Sequence, residues 1–460
     1  MELWQNPYRI AEYYDVTPFS EEHFEILKSH MGLYKNAGGH AITTTIVEEA
    51  WAGQTYGEGT VKFPSMVKWT KKADGKWSFD YTDFDKWVTF NKDVMKIGDK
   101  IVCYSIAPWT NSVVYYDEAT KTVYYESAEE SPIRRAIYKI DAKGVKTKLS
   151  TQEGTNNATF SDNFAYYVNQ YSNANTPVKI TVNETKSNKV LRVLQDNARL
   201  VDKLAGYSYA EKEFIKVRTA SDYELNAWIV KPVDFDESKK YPVLMFQYSG
   251  PNSQQVLDKY SFDWEQYLAA NGIITVCVDG RGTGARGEAF HKCTYLRMGE
   301  LESKDQVEAA QALGKLPFVD KNRMAIWGWS FGGYNTLMAM SVGNGTFKAG
   351  IAVAPPTDWK YYDSVYTERF MRTPKENFEG YAATSPIRLA KDLQGKLLLI
   401  HGTADDNVHF QQTMDYAESL VQAGKQFEMQ VYKDRNHSIY GGNTRYHLYT
   451  RMSNFLFDNL

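Results

Sequence analysis

The chain has 460 residues, of which 43% are hydrophobic and 24% charged, and its formal net charge at pH 7 is −3. This length suits two or three domains of ordinary soluble composition, and the slightly negative charge argues against nucleic-acid binding. No run of about eighteen apolar residues predicts a membrane span, and no basic, apolar export signal opens the sequence, so a cytoplasmic location is expected. The three cysteines form no Cys-x-x-Cys pair, so no metal site is expected. The glycine-rich loop over 279–287 lacks the P-loop and dinucleotide-binding patterns, so no cofactor is expected.

Residues 1–112 predict alternating helices and strands. Ser20 is a candidate N-cap for a helix over 21–31, and a strand follows over 41–47. An amphipathic helix over 82–97 is closed by Gly98, and a strand over 101–104 comes next. This order resembles part of a (β/α)₈ barrel of glycoside-hydrolase type. Glu48 and Glu49 end one such strand, but no second carboxylate can be placed, so they are interpreted as a solvated pair.

Residues from about 113 to 197 predict short antiparallel strands with polar turns, a pattern typical of β-meanders. The strands are expected over 113–116, 122–125, 136–140, 163–168 and 178–182.

Residues 323–334 carry the most informative motif. A short apolar strand over 324–327 runs into Gly328-Trp-Ser330-Phe-Gly332 and then into an apolar helical pattern. In that setting, Gly-x-Ser-x-Gly predicts a nucleophile elbow, a strained turn that presents a serine hydroxyl to a base. Ser330 is the candidate nucleophile, and Gly328 and Gly332 allow the turn without a Cβ clash.

A hydrolase of this kind needs an acid and then a histidine on loops after later strands. The strand over 396–400 leads to His401, Asp405 and Asp406, and the strand over 427–432 leads to His437. Only His437, among eight histidines, lies on a polar loop after the last strand, so it is the candidate base. The pattern alone does not separate Asp405 from Asp406 as the acid.

From about Val190 to the C-terminus, the sequence resembles the catalytic end of the dipeptidyl peptidase IV branch of the prolyl oligopeptidase family of serine peptidases. The matching stretches are 189–197, Tyr248-Ser-Gly-Pro251, Asp279-Gly-Arg-Gly282, Gly328-Trp-Ser-Phe-Gly-Gly-Tyr334, 361–369 and His401-Gly-Thr-Ala-Asp-Asp-Asn-Val-His409. The resemblance implies that Ser330 is the nucleophile, Asp405 the orienting acid and His437 the general base.

Acyl transfer also needs donors for the oxyanion, usually the backbone N–H after the nucleophile and one further group. Phe331 supplies the first. No His-Gly-Gly-type loop of the esterase kind follows the strand over 243–247, and the resemblance implies that the Tyr248 hydroxyl is the second donor.

An aromatic run follows Pro356. If a helix begins at Asp358, then Trp359, Tyr362 and Tyr366 share one face. A small box of rings suits a proline or alanine side chain at P1, the residue before the scissile bond. The resemblance implies that the substrate is held by Phe331, Val353, Trp359, Tyr362, Tyr366, Asn407 and Val408, with Asn407 bonded to its backbone.

The resemblance also places residues 113–200 in the last blades of a β-propeller, although this length holds only about two blades and closure typically needs four or more. The family binds the free amino terminus of its substrate with a Glu-Glu pair and an arginine on earlier blades, and no match to that motif is found here. Relatives are often periplasmic, secreted or at the cell surface. They dimerise partly through the terminal helix, so a homodimer is expected, with Met452, Phe455 and Leu456 in that contact or in the core.

The sequence therefore predicts a mixed α/β chain: an α/β barrel-like fragment over 1–112, a partial β-propeller over 113–200 and an α/β-hydrolase catalytic domain over 201–460. The expected activity is hydrolysis of peptide bonds after proline or alanine by Ser330, Asp405 and His437 through an acyl-enzyme. Two alternatives stay open: a general esterase, and a catalytically compromised fusion with a carbohydrate-related N-terminal region.

Overall fold

The computed structural model of the protein describes residues 5–47, 64–104, 116–117, 122–141, 143–161 and 163–460. The chain forms two compact units, one of residues 1–125 and 139–147 and the other of residues 126–138 and 148–460. Glu48, Glu49 and the first predicted meander strand up to Tyr115 lie outside the described residues. The domain boundaries at 112 and 200 stay a prediction.

The first unit contains short helices and strands. Its helices are α1 (Pro7–Tyr13), α2 (Glu21–Asn36) and α3 (Thr82–Thr89), and its strands are β1 (Ala41–Thr45), β2 (Lys68–Lys71), β3 (Trp77–Asp80), β4 (Lys100–Tyr104) and β5 (Tyr116–Asp117). β1 pairs in parallel with β4, while β2 pairs antiparallel with β3 and in parallel with β5.

The core of this unit lies between α2, α3 and β1. Leu27, Ile42 and Trp87 are fully buried in one apolar cluster, and the Trp87 indole donates a 2.9 Å hydrogen bond to the Thr43 carbonyl. Ser20 caps α2 as predicted, because its hydroxyl accepts the His23 N–H. The single helix expected over 82–97 is instead an α-helix that widens into a π-helical segment from Phe90 to Met95.

The boundary between the units runs through three short strands, β6 (Val123–Ser127), β7 (Ala136–Ile140) and β8 (Lys146–Lys148). A four-stranded antiparallel sheet follows, in the order β12-β11-β10-β9. Its strands are β9 (Thr155–Phe160), β10 (Tyr166–Asn173), β11 (Thr176–Glu184) and β12 (Val190–Gln195), and helix α4 (Ala198–Leu204) comes after it. These meanders have the architecture expected of a partial propeller.

An eight-stranded sheet organises the C-terminal part, in the order β13-β14-β16-β15-β17-β18-β19-β20. Its strands are β13 (Lys212–Arg218), β14 (Glu224–Val230), β15 (Tyr241–Phe246), β16 (Ile274–Asp279), β17 (Val319–Trp329), β18 (Ala349–Val353), β19 (Lys396–Gly402) and β20 (Glu428–Tyr432). From β16 to β20 all neighbours are parallel, whereas β14 pairs antiparallel with both β13 and β16. The carboxyl ends of the parallel strands therefore share one edge, where such sheets bind ligands.

Helices cover both faces of this sheet: α5 (Trp264–Ala270), α6 (Glu288–Lys292), α7 (Glu300–Leu313), α8 (Phe331–Val342), α9 (Ser364–Met371), α10 (Phe378–Ala383), α11 (Pro386–Leu389), α12 (Phe410–Gln422) and α13 (Thr444–Asn459). Side chains of α7, α8 and α12 join one core cluster, and those of α5 and α13 join another. Because the sheet is covered on both faces, its inner strands β15, β16, β18 and β19 are almost continuously apolar. Met452, Phe455 and Leu456 of α13 are buried in the second cluster.

Candidate active site

Ser330 lies on the turn between β17 and α8, at the carboxyl edge of the sheet. Its backbone has φ 60° and ψ −120°, a conformation that non-glycine residues rarely adopt. A Cβ on Gly328 would lie 2.4 Å from the carbonyl carbon of Gly332, and a Cβ on Gly332 would lie 2.4 Å from the Gln247 carbonyl oxygen. The turn therefore requires glycine at both positions and has the geometry of a nucleophile elbow.

The acid and base candidates lie on neighbouring loops. Asp405 follows β19 and His437 follows β20, and His437 Nδ1 is 2.7 Å from Asp405 Oδ2. The Asp405 side chain is fully buried, whereas that of His437 is 20% exposed. Asp406 is exposed. Of the two aspartates that the pattern leaves open, Asp405 is the one bonded to His437.

Further donors hold the Asp405 carboxylate. Oδ1 accepts the backbone N–H groups of Asn407 and Val408 at 3.0 and 2.9 Å, and Oδ2 lies 3.1 Å from His401 Nε2. Burial by itself raises the pKa of Asp405, but the hydrogen bonds and the charge of His437 outweigh it and keep that pKa well below its usual range. The carboxylate is therefore charged at neutral pH and can hold a proton on His437 Nδ1, which leaves Nε2 to act as a base.

Tyr248 follows β15, next to the nucleophile. Burial raises the pKa of its phenol, and a side-chain hydrogen bond with Ser330 partly offsets that effect. The group is thus a neutral donor at physiological pH. Phe331 is the first residue of α8, so its backbone N–H has no carbonyl partner within the helix. Both groups therefore stay candidate donors to an oxyanion formed at Ser330.

The aromatic candidates form one continuous cluster. Trp359 is 5.5 Å from Phe331, 6.0 Å from Tyr362 and 6.3 Å from Tyr366, measured between ring centroids. Tyr362 and Tyr366 are 5.3 Å apart and nearly perpendicular. Trp359 is buried, while both tyrosines are partly exposed. The rings form a wall beside the nucleophile.

The single helix predicted from Asp358 is wrong. Residues Trp359–Tyr361 form a short 3₁₀ helix, Tyr362 is extended, and α9 begins only at Ser364. The reason is local: the Asp363 side chain accepts the Tyr366 N–H at 3.0 Å and so caps a new helix. Tyr362 and Tyr366 therefore reach the same cluster from two different segments.

The remaining pocket candidates lie around these rings. The Tyr362 hydroxyl donates a 2.6 Å hydrogen bond to Asn407 Oδ1, and Asn407 is exposed. Burial and the charges of nearby Asp363 and Asp405 raise the pKa of Tyr362. Val353, at the end of β18, and Val408, after β19, are fully buried.

Sequence reasoning assigned no role to His401 and Trp329, which contact the candidate acid and base. His401 lies at the end of β19, and its Nε2 contacts Asp405 Oδ2 and, at 2.9 Å, the Val408 carbonyl. The Trp329 indole donates a 2.9 Å hydrogen bond to the His437 carbonyl. A spacing of four residues between His401 and Asp405 was the available signal for the first; nothing in the sequence marks the second.

The parts of the chain that the structure describes contain no group of three side chains suited to a metal ion. In the same parts, no helix combines the length and apolar character needed to span a membrane.

Two family models match different parts of the chain. The prolyl oligopeptidase family matches residues 260–460. The catalytic domain of glycoside hydrolase 123 matches residues 4–230, which agrees with the glycoside-hydrolase resemblance of the N-terminal fragment.

Individual relatives of the chain agree with the match to the prolyl oligopeptidase family. The chain is 39% identical to dipeptidyl peptidase 4 of Sus scrofa over 374 residues, which is 78% of this chain and 48% of that protein. Dipeptidyl peptidase 4 of Bos taurus is likewise 39% identical, over 375 residues. The solved structure of Porphyromonas gingivalis dipeptidyl peptidase 4 superimposes with a TM-score of 0.74 at 64% identity, covering 74% of this chain and 49% of that one. The chain thus spans about half the length of these relatives.

Proposed function

We propose that this chain hydrolyses peptide bonds through an acyl-enzyme on Ser330, because residues 260–460 match the prolyl oligopeptidase family of serine peptidases. The observation that carries the proposal is the 2.7 Å contact between His437 and Asp405, on loops that share the sheet edge with the elbow at Ser330. The names of the relatives, dipeptidyl peptidase 4, support a peptidase.

In the proposed reaction, His437 Nε2 takes the hydroxyl proton as Ser330 Oγ attacks the peptide carbonyl. Asp405 stabilises the imidazolium that forms. The oxyanion of the tetrahedral intermediate accepts hydrogen bonds from the Tyr248 hydroxyl and the Phe331 N–H. His437 then gives its proton to the leaving amine. Water next attacks the ester carbonyl of the acyl-enzyme, with His437 taking its proton and returning it to Ser330 Oγ as the acid product leaves.

For specificity, we propose that the residue before the scissile bond is proline or alanine. The cluster of Phe331, Trp359, Tyr362 and Tyr366 offers flat apolar surface suited to a pyrrolidine ring or a methyl group. Val353 and Val408 complete the proposed wall. Asn407, oriented by the Tyr362 hydroxyl, is proposed to bind the substrate backbone.

The test is hydrolysis of Gly-Pro p-nitroanilide and Ala-Pro p-nitroanilide by the wild type and by Ser330→Ala. We expect turnover of both compounds by the wild type and its loss in the variant. Turnover of p-nitrophenyl acetate but of neither anilide would replace the peptidase by an esterase. Absence of a fluorophosphonate adduct on Ser330 of folded protein would overturn the catalytic proposal altogether.

A further inference from the structure

Gln247 is a fully buried glutamine between β15 and Tyr248. Its Nε2 donates hydrogen bonds to the Gly332 carbonyl at 2.6 Å and to Thr336 Oγ1 at 3.2 Å. Its Oε1 accepts from Asn335 Nδ2 at 3.1 Å and from Ser249 Oγ at 3.0 Å. A primary amide has two donor hydrogens and two acceptor positions, so every one of them is used.

These bonds join two parts of the candidate site. Gly332, Asn335 and Thr336 lie in α8, which begins directly after Ser330. Ser249 lies on the loop that carries Tyr248 and has a φ of 64°, a conformation that persists only where its surroundings enforce it. The side chain of Gln247 therefore connects the nucleophile helix to the loop of the phenol.

The backbones of the two parts also meet closely. Gly332 packs so tightly against Gln247 that a Cβ there would lie 2.4 Å from the Gln247 carbonyl oxygen. The loop is fixed on its other side as well, because Gln306 Nε2 lies 3.4 Å from Ser249 Oγ and donates a 2.9 Å bond to the Val278 carbonyl. The end of β15 and the first turn of α8 are therefore in close van der Waals contact and cannot shift independently.

We propose that Gln247 is a positioning residue, which fixes the Tyr248 hydroxyl relative to Ser330 through its bonds to Gly332 and Ser249. The inference rests on the proposed peptidase function. An oxyanion donor works only within about 2.7–3.1 Å of the oxyanion, and a displacement near 1 Å can cost roughly 100-fold in rate. A side chain that filled the same volume without hydrogen bonds would hold the core together but would let the phenol shift.

The experiment compares Gln247→Met, which keeps the length of the side chain, with Gln266→Met as a matched control. Gln266 lies on α5, and its amide also makes two backbone bonds, to the N–H and carbonyl of Ala210 at 3.0 and 2.9 Å. On Gly-Pro p-nitroanilide, we expect Gln247→Met to lower kcat about 10-fold or more with KM within about twofold. Gln266→Met is expected to keep both constants, with each fold checked by circular dichroism.

A double substitution separates positioning from general support of the fold. If Gln247 acts through the phenol, Gln247→Met combined with Tyr248→Phe is no slower than Tyr248→Phe alone. The inference would be overturned if the kcat losses of the two single variants multiplied in the double variant. An unchanged kcat in folded Gln247→Met would also overturn it. Should Gln247→Met not fold, Ser249→Ala removes one of the two bonds that the proposal names, and an unchanged kcat there would overturn it equally.

The rate of fluorophosphonate labelling at Ser330 distinguishes this inference from the peptidase proposal. That reaction needs the nucleophile and its surroundings but no prolyl pocket. A wild type that labels without cleaving either anilide removes the substrate assignment and leaves Gln247 testable by its labelling rate, which Gln247→Met is expected to lower about 10-fold. A wild-type protein that neither reacts with the fluorophosphonate nor cleaves the anilides would overturn both the peptidase proposal and the role of Gln247.

Discussion

Replacing Asp405 by asparagine is predicted to stop catalysis while keeping the shape of the site. The carboxylate has two sides: Oδ1 accepts the N–H groups of Asn407 and Val408, and Oδ2 contacts His437 and His401. The amide oxygen of asparagine can serve the first side, because both partners there are fixed donors. Its NH₂ group must then face the histidines.

That exchange reverses the hydrogen bond to His437. An NH₂ group at 2.7 Å requires Nδ1 to be an acceptor, which places the proton on Nε2, the atom that has to accept the Ser330 proton. Such a wrong tautomer costs about 10⁴-fold in kcat, or roughly 5.5 kcal/mol in activation free energy. His401 Nε2 loses its contact with Asp405 but keeps the Val408 carbonyl at 2.9 Å, so the free energy of unfolding is expected to fall by about 0.5–1.5 kcal/mol, the net contribution of one hydrogen bond.

The assay is steady-state hydrolysis of Gly-Pro p-nitroanilide, with thermal unfolding measured in parallel. Asp406→Asn is the matched control, since it makes the same chemical change one residue along the chain at an exposed side chain. It is expected to keep kcat within about twofold and to leave stability within about 0.5 kcal/mol. A folded Asp405→Asn enzyme within tenfold of the wild type would refute the role assigned to Asp405.

The other predictions concern three further side chains. Tyr248→Phe removes one oxyanion donor and is expected to lower kcat about 10²–10³-fold with little change in KM, measured on the same anilide. Tyr362→Phe keeps the ring but loses the bond to Asn407, so KM should rise about two- to tenfold at nearly constant kcat. Burial raises the pKa of Glu302 to about 8. The folded state therefore binds the Glu302 proton more tightly than the unfolded state does. The resulting contribution to the free energy of unfolding is present at low pH and is lost as pH rises from about 4.5 to 8. The melting temperature of the wild type should accordingly fall between pH 6 and 8, and Glu302→Gln should flatten that fall.

The sheet edge was predictable because strand ends are local features. The apolar runs before Ser330, Asp405 and His437 correspond to β17, β19 and β20, and parallel neighbours bring their carboxyl ends to one edge. The mixed α/β fold class is confirmed on the same basis. What this reasoning could not supply is the choice between Asp405 and Asp406, since both follow β19 and only the three-dimensional path of the loop turns one of them towards His437.

The aromatic wall shows where periodicity misleads. Helical spacing grouped Trp359, Tyr362 and Tyr366 correctly, but for a reason that does not hold in the structure. Asp363 captures the Tyr366 N–H and interrupts the helix, so the rings converge by a turn of the chain. Short polar side chains compete with the helix for backbone N–H groups, and periodicity takes no account of that competition.

Gln247 and His401 illustrate a different limit. Both lie at ends of buried strands, where sequence patterns recognise apolar residues and treat polar ones as exceptions. Their partners are distant in sequence or lie on loops whose path is set by tertiary packing: Gln247 bonds to Gly332, 85 residues away. A buried amide or imidazole must find partners, because leaving it unpaired is costly. A polar residue inside an apolar strand end is therefore a signal for a network even when the partners cannot be named.

The residues of the proposed chemistry, from Tyr248 to His437, all come from the C-terminal unit and mostly from the loops after its parallel strands. Cleavage of the peptide bond and recognition of the substrate's free amino terminus can therefore be tested separately in this chain. Comparing Gly-Pro p-nitroanilide with its N-succinyl derivative measures recognition of the amino terminus. The bond that is cleaved stays the same, because both compounds present the same proline to the pocket. Equal kcat/KM values would assign all recognition to the proline and the reacting carbonyl. A strong preference for the free amine, kept against an uncharged N-acetyl derivative, would indicate a carboxylate or carbonyl partner for the amine, beyond the groups assigned to this site.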